Sequence, residues 1–427
     1  MKKYVVSLIF LSLIFGGGLI SLGSNGPLLL KGVLKQDFSL NIIKERTLFD
    51  ETEVTFYENF PFRSELMRFA TQFDKLKGIR NEFTLVDSNA INVAQAATKE
   101  SDDSPVEKRE TNIQNSGEPH LEETDSFFED NTYGTILIYN NDTALELNIK
   151  NELALSHYAS SLSKFAKQVD ANVKVYSLLV PTQIEFVDND QIKEMSYSQI
   201  EGIQRVNQEL KEVTPVNTYD LLKAHATEYL YFRTDHHWTQ LGAYYGYLAF
   251  AETLGLDPVA LDDMQHFTID DYVGSLYRMT QNELLKNKPD SIEVYEPKTA
   301  SKLYYGVDAI GSPLSVIDIG YAQEDNKYAV FLNGDAASLH IVSDTSSDES
   351  IVIVKDSYAN AFIPFLTPHF KDIYIIDPRI WEGNLNQLIR DKQIDHVLFL
   401  NYALINRYDS YSSVLEAIMS PDEAVLP

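Results

Sequence analysis

Cysteine is absent from all 427 residues of this chain. Its absence excludes disulfide staples, a thiolate nucleophile and cysteine-ligated zinc together. It fits an exported protein whose folding does not depend on oxidation. Basic residues are scarce beside acidic ones, 35 lysines and arginines against 63 aspartates and glutamates, giving a formal net charge of -28. A surface that acidic repels phosphate backbones and anionic lipid headgroups, which argues against nucleic acid as a partner. Histidine is sparse too, with nine in the chain, so any cluster of them stands out. What is plentiful is apolar: 44% of residues are hydrophobic and 11% aromatic, enough for a sizeable core in one large domain with accessories or in two domains.

One long apolar run is present, at the N-terminus. Lys2 and Lys3 precede YVVSLIFLSLIFGGGLISLG. A positive flank before an apolar run specifies export with the cytoplasmic end first, and the run is long enough to span a bilayer. No clear small-residue cleavage site follows it. Residues 1–27 therefore read as an uncleaved signal anchor, in preference to a cleaved signal peptide, which would leave the protein secreted. Either way the remainder is extracytoplasmic.

Residues 28–93 read as a helical entry segment, with Leu66, Phe69, Phe73 and Leu76 at helical spacing. Residues 94–131 are polar, acidic and poor in large aliphatic side chains. They cannot bury enough apolar surface to offset their ordering entropy, and read as a disordered insertion. Residues 132–420 have an α/β texture. TILIYN, VKVYSLLVPT, SIVIVK, DIYIIDP and HVLFLNYAL are apolar or β-branched runs, KYAVFLNG is a further expected strand, and TPVNTYD a short one. LALSHYASSLSKFAKQV, IEGIQRVNQELKEV, TQLGAYYGYLAFAETLG and WEGNLNQLIRDKQ are helical between them, with Gly255 as a stop signal. This alternation predicts a parallel sheet with helices on both faces. Residues 257–330 read as an irregular insertion in that domain.

Residues 231–242, YFRTDHHWTQLG, concentrate unusual chemistry. Asp235 and His237 are spaced i, i+2, so in extended backbone their side chains leave on the same side. The carboxylate can then hold one imidazole nitrogen and leave the other free to act as a base. His236 would point to the opposite face, in an accessory role, and Trp238 reads as a packing anchor. Metal binding by Asp235, His236 and His237 is the competing reading, disfavoured because adjacent histidines rarely face one ion. The second half of a site is offered by IVIVKDSYAN, which places Ser357 after an apolar strand and at the start of a helix. Ligands in open α/β sheets sit at the carboxyl ends of strands, and backbone N–H groups there favour developing negative charge. Ser357 is thus a candidate nucleophile whose own amide could donate to an oxyanion, and a plain helix N-cap otherwise.

TDHHW followed by TxLGAYYxY, with KDSYANAFxPFL more than a hundred residues later, resembles the DHHW protein family, as does the entry segment FPFRSELMRF. That family is similar to the SGNH hydrolases and is related to the alginate O-acetyltransferases. The resemblance implies a three-layer α/β/α, flavodoxin-like fold with a parallel sheet. It implies Asp235 as orienter, His237 as base and Ser357 as nucleophile. It departs from the SGNH pattern at two places. Lys355 stands where a glycine usually precedes the Asp-Ser, and Gly334 is followed by Asp335 where an asparagine donor is usual; an ionised aspartate cannot donate a hydrogen bond. Asn333 and Asn360 are then candidate oxyanion donors, with Arg379 and His236 as candidate substrate-binding groups.

The activity implied is an extracytoplasmic O-acetyltransferase or acetylesterase acting on a cell-surface polysaccharide through an acyl-serine. No cofactor is expected. The resemblance further implies a multi-spanning membrane acyltransferase as acetyl donor. The rival reading, from another class, is a non-catalytic polysaccharide-binding surface protein that keeps these residues as structure.

Overall fold

The computed structural model describes residues 83–87 and 135–420, Tyr408 excepted. The expected signal anchor, the helical pattern around Leu66–Leu76 and the acidic insertion lie outside the described residues. The chain divides into two units, residues 1–85 and 86–427, and every element from residue 135 onward belongs to the second. A strand, β1 (Phe83–Asp87), straddles that division within the stretch read as helical.

The second unit opens with an antiparallel hairpin, β2 (Thr135–Tyr139) and β3 (Thr143–Glu146). Next come α1 (Glu152–Ala166), β4 (Lys174–Val180), α2 (Asp190–Met195), α3 (Gln199–Glu209), β5 (Thr214–Pro215) and α4 (Tyr219–Ala224). After the histidine-rich stretch comes α5 (Gln240–Leu254), then β6 (Gln265–Tyr272), α6 (Ser275–Thr280), β7 (Asp290–Glu296) and β8 (Ser301–Tyr305). The last third holds β9 (Ser338–Ser343), β10 (Ser350–Lys355), α7 (Ala359–Phe362), β11 (Asp372–Ile376), α8 (Leu385–Lys392), β12 (His396–Tyr402) and α9 (Asp409–Met419).

Seven strands form the central sheet in the order β5-β4-β12-β10-β11-β9-β8. From β5 to β11 all neighbours are parallel. The expected parallel sheet forms the centre and one edge, and at the other edge β9 runs antiparallel to β11 and β8 antiparallel to β9. A crossover helix is what forces parallel pairing. The link from β8 to β9, residues 306–337, holds only short 3-10 turns and no such helix, so that pair is free to run antiparallel. Counted from β10 through the chain end and round to β4 and β5, the parallel strands lie in the order second, first, third, fourth, fifth.

Alternation along each parallel strand feeds two cores. Tyr176 and Leu178 of β4, Ile351 and Ile353 of β10, and Leu398 and Leu400 of β12 face one side, with α5 and α7. Val175 and Leu179, Val352 and Val354, and Val397 and Phe399 face the other, with α1, α3, α8 and α9. Strands buried on both faces read as continuous apolar runs, which is how these segments read in the sequence. KYAVFLNG is not a strand: Lys327–Val330 is a 3-10 turn, and Leu332, Asn333 and Gly334 all take positive φ (59°, 60° and 86°), which no strand tolerates.

Helix α5 is built around Trp238. Thr239 caps it, accepting from the Gly242 amide at 3.2 Å, and Gly255 closes it in the left-handed conformation at φ 71°. Trp238 is wholly buried against this helix. A Cβ at Gly246 would lie 2.8 Å from the indole. Gly246→Ala is therefore expected to destabilise the fold by about 1–3 kcal/mol despite alanine's better helix propensity, measured as a lowered denaturant midpoint.

Candidate functional site

The residues Arg233–Trp238 are shaped by a buried acid. Asp290, at the start of β7, accepts from the Arg233 amide at 3.1 Å, and from the Thr234 amide and hydroxyl at 2.8 and 2.6 Å. The antiparallel bridge Tyr231↔Trp238 closes the loop, and residues 233–237 are a run of bends rather than extended backbone. That bending overturns one expectation. His236 does not point away from His237; its ring lies 3.8 Å from the His237 ring at 36°.

Within this loop the Asp235 Oδ1 accepts from the His237 amide at 2.9 Å and faces His237 Nδ1 at 2.7 Å. On the far side of the imidazole, Nε2 lies 2.7 Å from Ser357 Oγ, 120 residues along the chain. Asp235 Oδ2 accepts from the Tyr272 hydroxyl at 2.7 Å and the Ser275 amide at 2.8 Å. With Oδ1 committed as an acceptor, Nδ1 carries the proton and Nε2 is left to accept from the serine hydroxyl. Burial alone would raise the Asp235 carboxyl; the His237 imidazole, with His236 and the Ser275 amide, holds it well below the usual carboxylate range. Burial and the neighbouring carboxylate push the Tyr272 phenol up, which keeps it a donor to Asp235.

The His237 ring is clasped on both faces. His236 covers one, and Tyr328 stacks on it at 4.0 Å and 12°. The Tyr328 hydroxyl donates to the Ser357 carbonyl at 3.3 Å. Loop and serine turn are also pinned reciprocally: Trp238 Nε1 donates to the Tyr358 carbonyl at 2.8 Å, and the Tyr358 hydroxyl donates to the His236 carbonyl. Trp238 is thus a packing anchor that locates the residue after Ser357.

Ser357 lies two residues beyond the end of β10, where the parallel strand order reverses, the place where open α/β sheets bind ligands. Asp356 fixes the turn, accepting from the amides of Tyr358 and Tyr402, each at 2.9 Å. Burial raises its carboxyl above the ordinary value in spite of those bonds. Among the described residues no acceptor is bonded to the Ser357 amide.

Lys355 and Asp335, the two departures from the SGNH pattern, meet each other. Lys355 is fully buried and its ammonium pairs with Asp335. Asp335 also accepts from Asn360 Nδ2 at 2.9 Å and Arg379 Nη2 at 3.2 Å. Arg379 binds Asp377 in a two-pronged pair at 2.8 and 2.5 Å. Burial would raise the Asp335 carboxyl, but Lys355 and Arg379 hold it below the usual range. The turn carrying Ser357 is therefore tied to one carboxylate from both ends, by residues 355 and 360. Asn360 and Arg379 are engaged in this ion cluster, and Asn333 Nδ2 donates to the Ser315 carbonyl at 2.9 Å.

Asp235, His236 and His237 offer ligand atoms within 4.8 Å of one another. Their hydrogen bonds already account for the arrangement: each Asp235 oxygen accepts two, and His236 Nδ1 lies 2.5 Å from Ser275 Oγ. A shallow cleft, open to solvent, adjoins both histidines and is walled by Glu146, Gln183, Phe232 and Leu276. A second cleft, walled by Asn148, Tyr197 and Gln199, includes none of the Asp-His-Ser atoms.

Sequence reasoning missed Tyr272, Ser275, Tyr328 and Asp290, which carry no motif. One signal was available. Gly274 stands isolated in DYVGS, and a Cβ there would lie 2.2 Å from the Asp235 Cβ. An isolated glycine marks such a close approach.

A family model described as DHHW protein matches residues 86–376, which include the loop and the serine turn. The solved structure of a DHHW family protein from Eubacterium siraeum is 29% identical, with a TM-score of 0.61, covering 66% of this chain and 94% of that one. Bacillus cereus PatB1, solved with a sulfonyl adduct, is similar in fold at 21% identity and a TM-score of 0.52, covering 64% of this chain and 97% of its own. A further PatB1 structure gives 21% identity and 0.51, over 62% and 94%. No curated protein gives a significant match. With its Asp-His-His-Trp loop seated against a serine turn and the family model spanning most of the α/β unit, this chain belongs to the DHHW protein family.

Proposed function

We propose that this protein is an extracytoplasmic O-acetyltransferase or acetylesterase of a cell-surface polysaccharide, acting through an acetyl-serine at Ser357. The observation that carries this reading is the unbroken hydrogen-bonded chain Asp235–His237–Ser357, at 2.7 Å on each side of the imidazole. The five parallel strands run 2-1-5-3-4 in chain order, a circular permutation of the flavodoxin order 2-1-3-4-5, and with helices on both faces they support the three-layer fold that the family resemblance implies.

Ser357 Oγ attacks the acetyl carbonyl as His237 Nε2 takes its proton, and Asp235 stabilises the resulting imidazolium. Negative charge develops on the carbonyl oxygen, where the Ser357 amide is available to donate. Collapse breaks the bond to the leaving alcohol, which takes the proton back from Nε2. A sugar hydroxyl then gives its proton to Nε2 and attacks the acetyl-serine; the acyl–Oγ bond breaks, Ser357 Oγ takes the proton from Nε2, and the product ester is released. Water in the same role gives an esterase. As the resemblance implies, a multi-spanning membrane acyltransferase supplies the acetyl group, with residues 1–27 as anchor beside it.

The test is intact mass of the folded protein after brief exposure to an activated acetyl ester, and separately to a sulfonyl fluoride. One adduct per chain on the parent is expected, and none on Ser357→Ala. An inert parent would favour a polysaccharide-binding surface protein, and equal labelling of Ser357→Ala would refute Ser357 as the nucleophile.

A further inference from the structure

The cleft beside His236 and His237 contains polar groups that the acyl chemistry does not use. Glu146 ends β3 and is 7% exposed. Among the described residues nothing hydrogen-bonds its carboxylate. The nearest cation, Arg407, holds Nη2 3.6 Å from Oε1, beyond hydrogen-bonding distance. The Nε and Nη2 of Arg407 are buried without a hydrogen-bond partner, although Nη2 is ion-paired with Glu146. Guanidinium nitrogens left this way call for an explanation. Gln183 opens a 3-10 turn on the same wall, is half-buried, and its side-chain amide is bonded to no described residue.

Glu146 supplies only acceptors, whereas the Gln183 amide supplies both donors and an acceptor. A sugar hydroxyl carries one donor and two lone pairs, and satisfies both kinds of wall. Charge narrows the class further. Arg407, the cation beside Glu146, is already paired with that carboxylate, so it is not free to hold an anionic ligand. The net charge of -28 acts in the same direction at longer range.

We propose that this cleft is the acceptor subsite for a neutral, hydroxyl-rich sugar, with Glu146 accepting from one hydroxyl and Gln183 bonding a second beside the His237 imidazole. This deepens the polysaccharide reading above and rests on it for the identity of the reacting group. It gives Glu146 and Gln183 the role of selecting neutral chains over polyuronates.

Binding without turnover tests it. The full-length Ser357→Ala protein is titrated with cellotriose and chitotriose as neutral probes and trigalacturonate as the anionic one, using calorimetry. At least one neutral trisaccharide is expected to bind at least about tenfold more tightly than the uronate. Glu146→Gln in the same background is expected to weaken that binding about tenfold, the loss of a charge-assisted hydrogen bond, and to narrow the preference. Gln183→Ala, at a half-exposed position, keeps the test open if Glu146→Gln fails to fold. Equal affinity for neutral and anionic probes, binding unmoved by both substitutions, or no binding of either neutral probe would each overturn the proposal. The acetylation of Ser357 is read independently by mass, so its failure is not confused with failure of the cleft.

Discussion

His237→Ala is expected to lower activated-ester turnover by on the order of 10⁴- to 10⁶-fold, the cost of removing the base from a unit that works together. The fold is expected to survive, because Asp235 keeps three of its donors: the Tyr272 hydroxyl, the Ser275 amide and the amide of residue 237. The substitution also leaves a slot the size of the lost ring, bounded by His236 on one face and Tyr328 on the other. Added imidazole is therefore expected to restore part of the activity, saturably. Partial rescue in the His237→Ala protein, with none in Ser357→Ala, is the signature of a base acting on Ser357. Steady-state kinetics against imidazole concentration make the measurement. Retention of full activity in His237→Ala would refute the assignment.

Lys355→Met is expected to destabilise the protein by about 3–5 kcal/mol, because it strips one cation from a buried set of two acids and two bases. Asp335 would keep Arg379 and Asn360, but the cluster as a whole would carry an uncompensated negative charge. The double variant Lys355→Met/Asp335→Asn is expected to recover most of the loss, since both members of the pair are then neutral. Guanidinium unfolding of the parent, the two single variants and the double variant gives the coupling. Additive losses would show that the pair is not coupled. The sign of the pH effect is fixed by the depressed Asp335 carboxyl. Its contribution is complete above the unfolded value of 3.8 and is lost as pH falls toward the folded one. The parent should therefore lose more stability on acidification than Asp335→Asn.

The loop and the serine turn were legible because their chemistry is local. Asp235 and His237 are two residues apart, and Ser357 comes shortly after the four apolar residues 351–354 of a strand, so each half declares itself within a few positions. Their meeting across the fold was legible only through what a serine nucleophile requires. The buried parallel strands were legible for the same local reason. Lys355 and Asp335 were noticed as departures, but their pairing was not readable, because a lysine at a strand end looks solvated until the fold closes over it. KYAVFLNG misled because β-propensity measures the fit to a pleated, half-buried surface, and here the apolar side chains are buried by a turn instead. The support of Asp235 by Tyr272 and Ser275, and of Thr234 by Asp290, comes from the segment of lowest periodicity. Nothing short of the folded loop brings those side chains together.

The position of β10 in the chain has a kinetic consequence. β4 is made early, yet its sheet neighbour toward the centre is β12, pairing Lys174 with His396. β12 in turn docks on β10, so the centre of the sheet is assembled from the last third of the chain. Contacts between residues so far apart in sequence carry a large loop-closure entropy before any burial rewards them, and folding dominated by them is slow. A chain threaded N-terminus first must therefore wait, with β4 unpaired on one side, until almost its whole length has emerged. The serine turn then forms in the same event that closes the sheet, so a truncated chain ending before β12 would carry Ser357 without the strand that holds its turn in place.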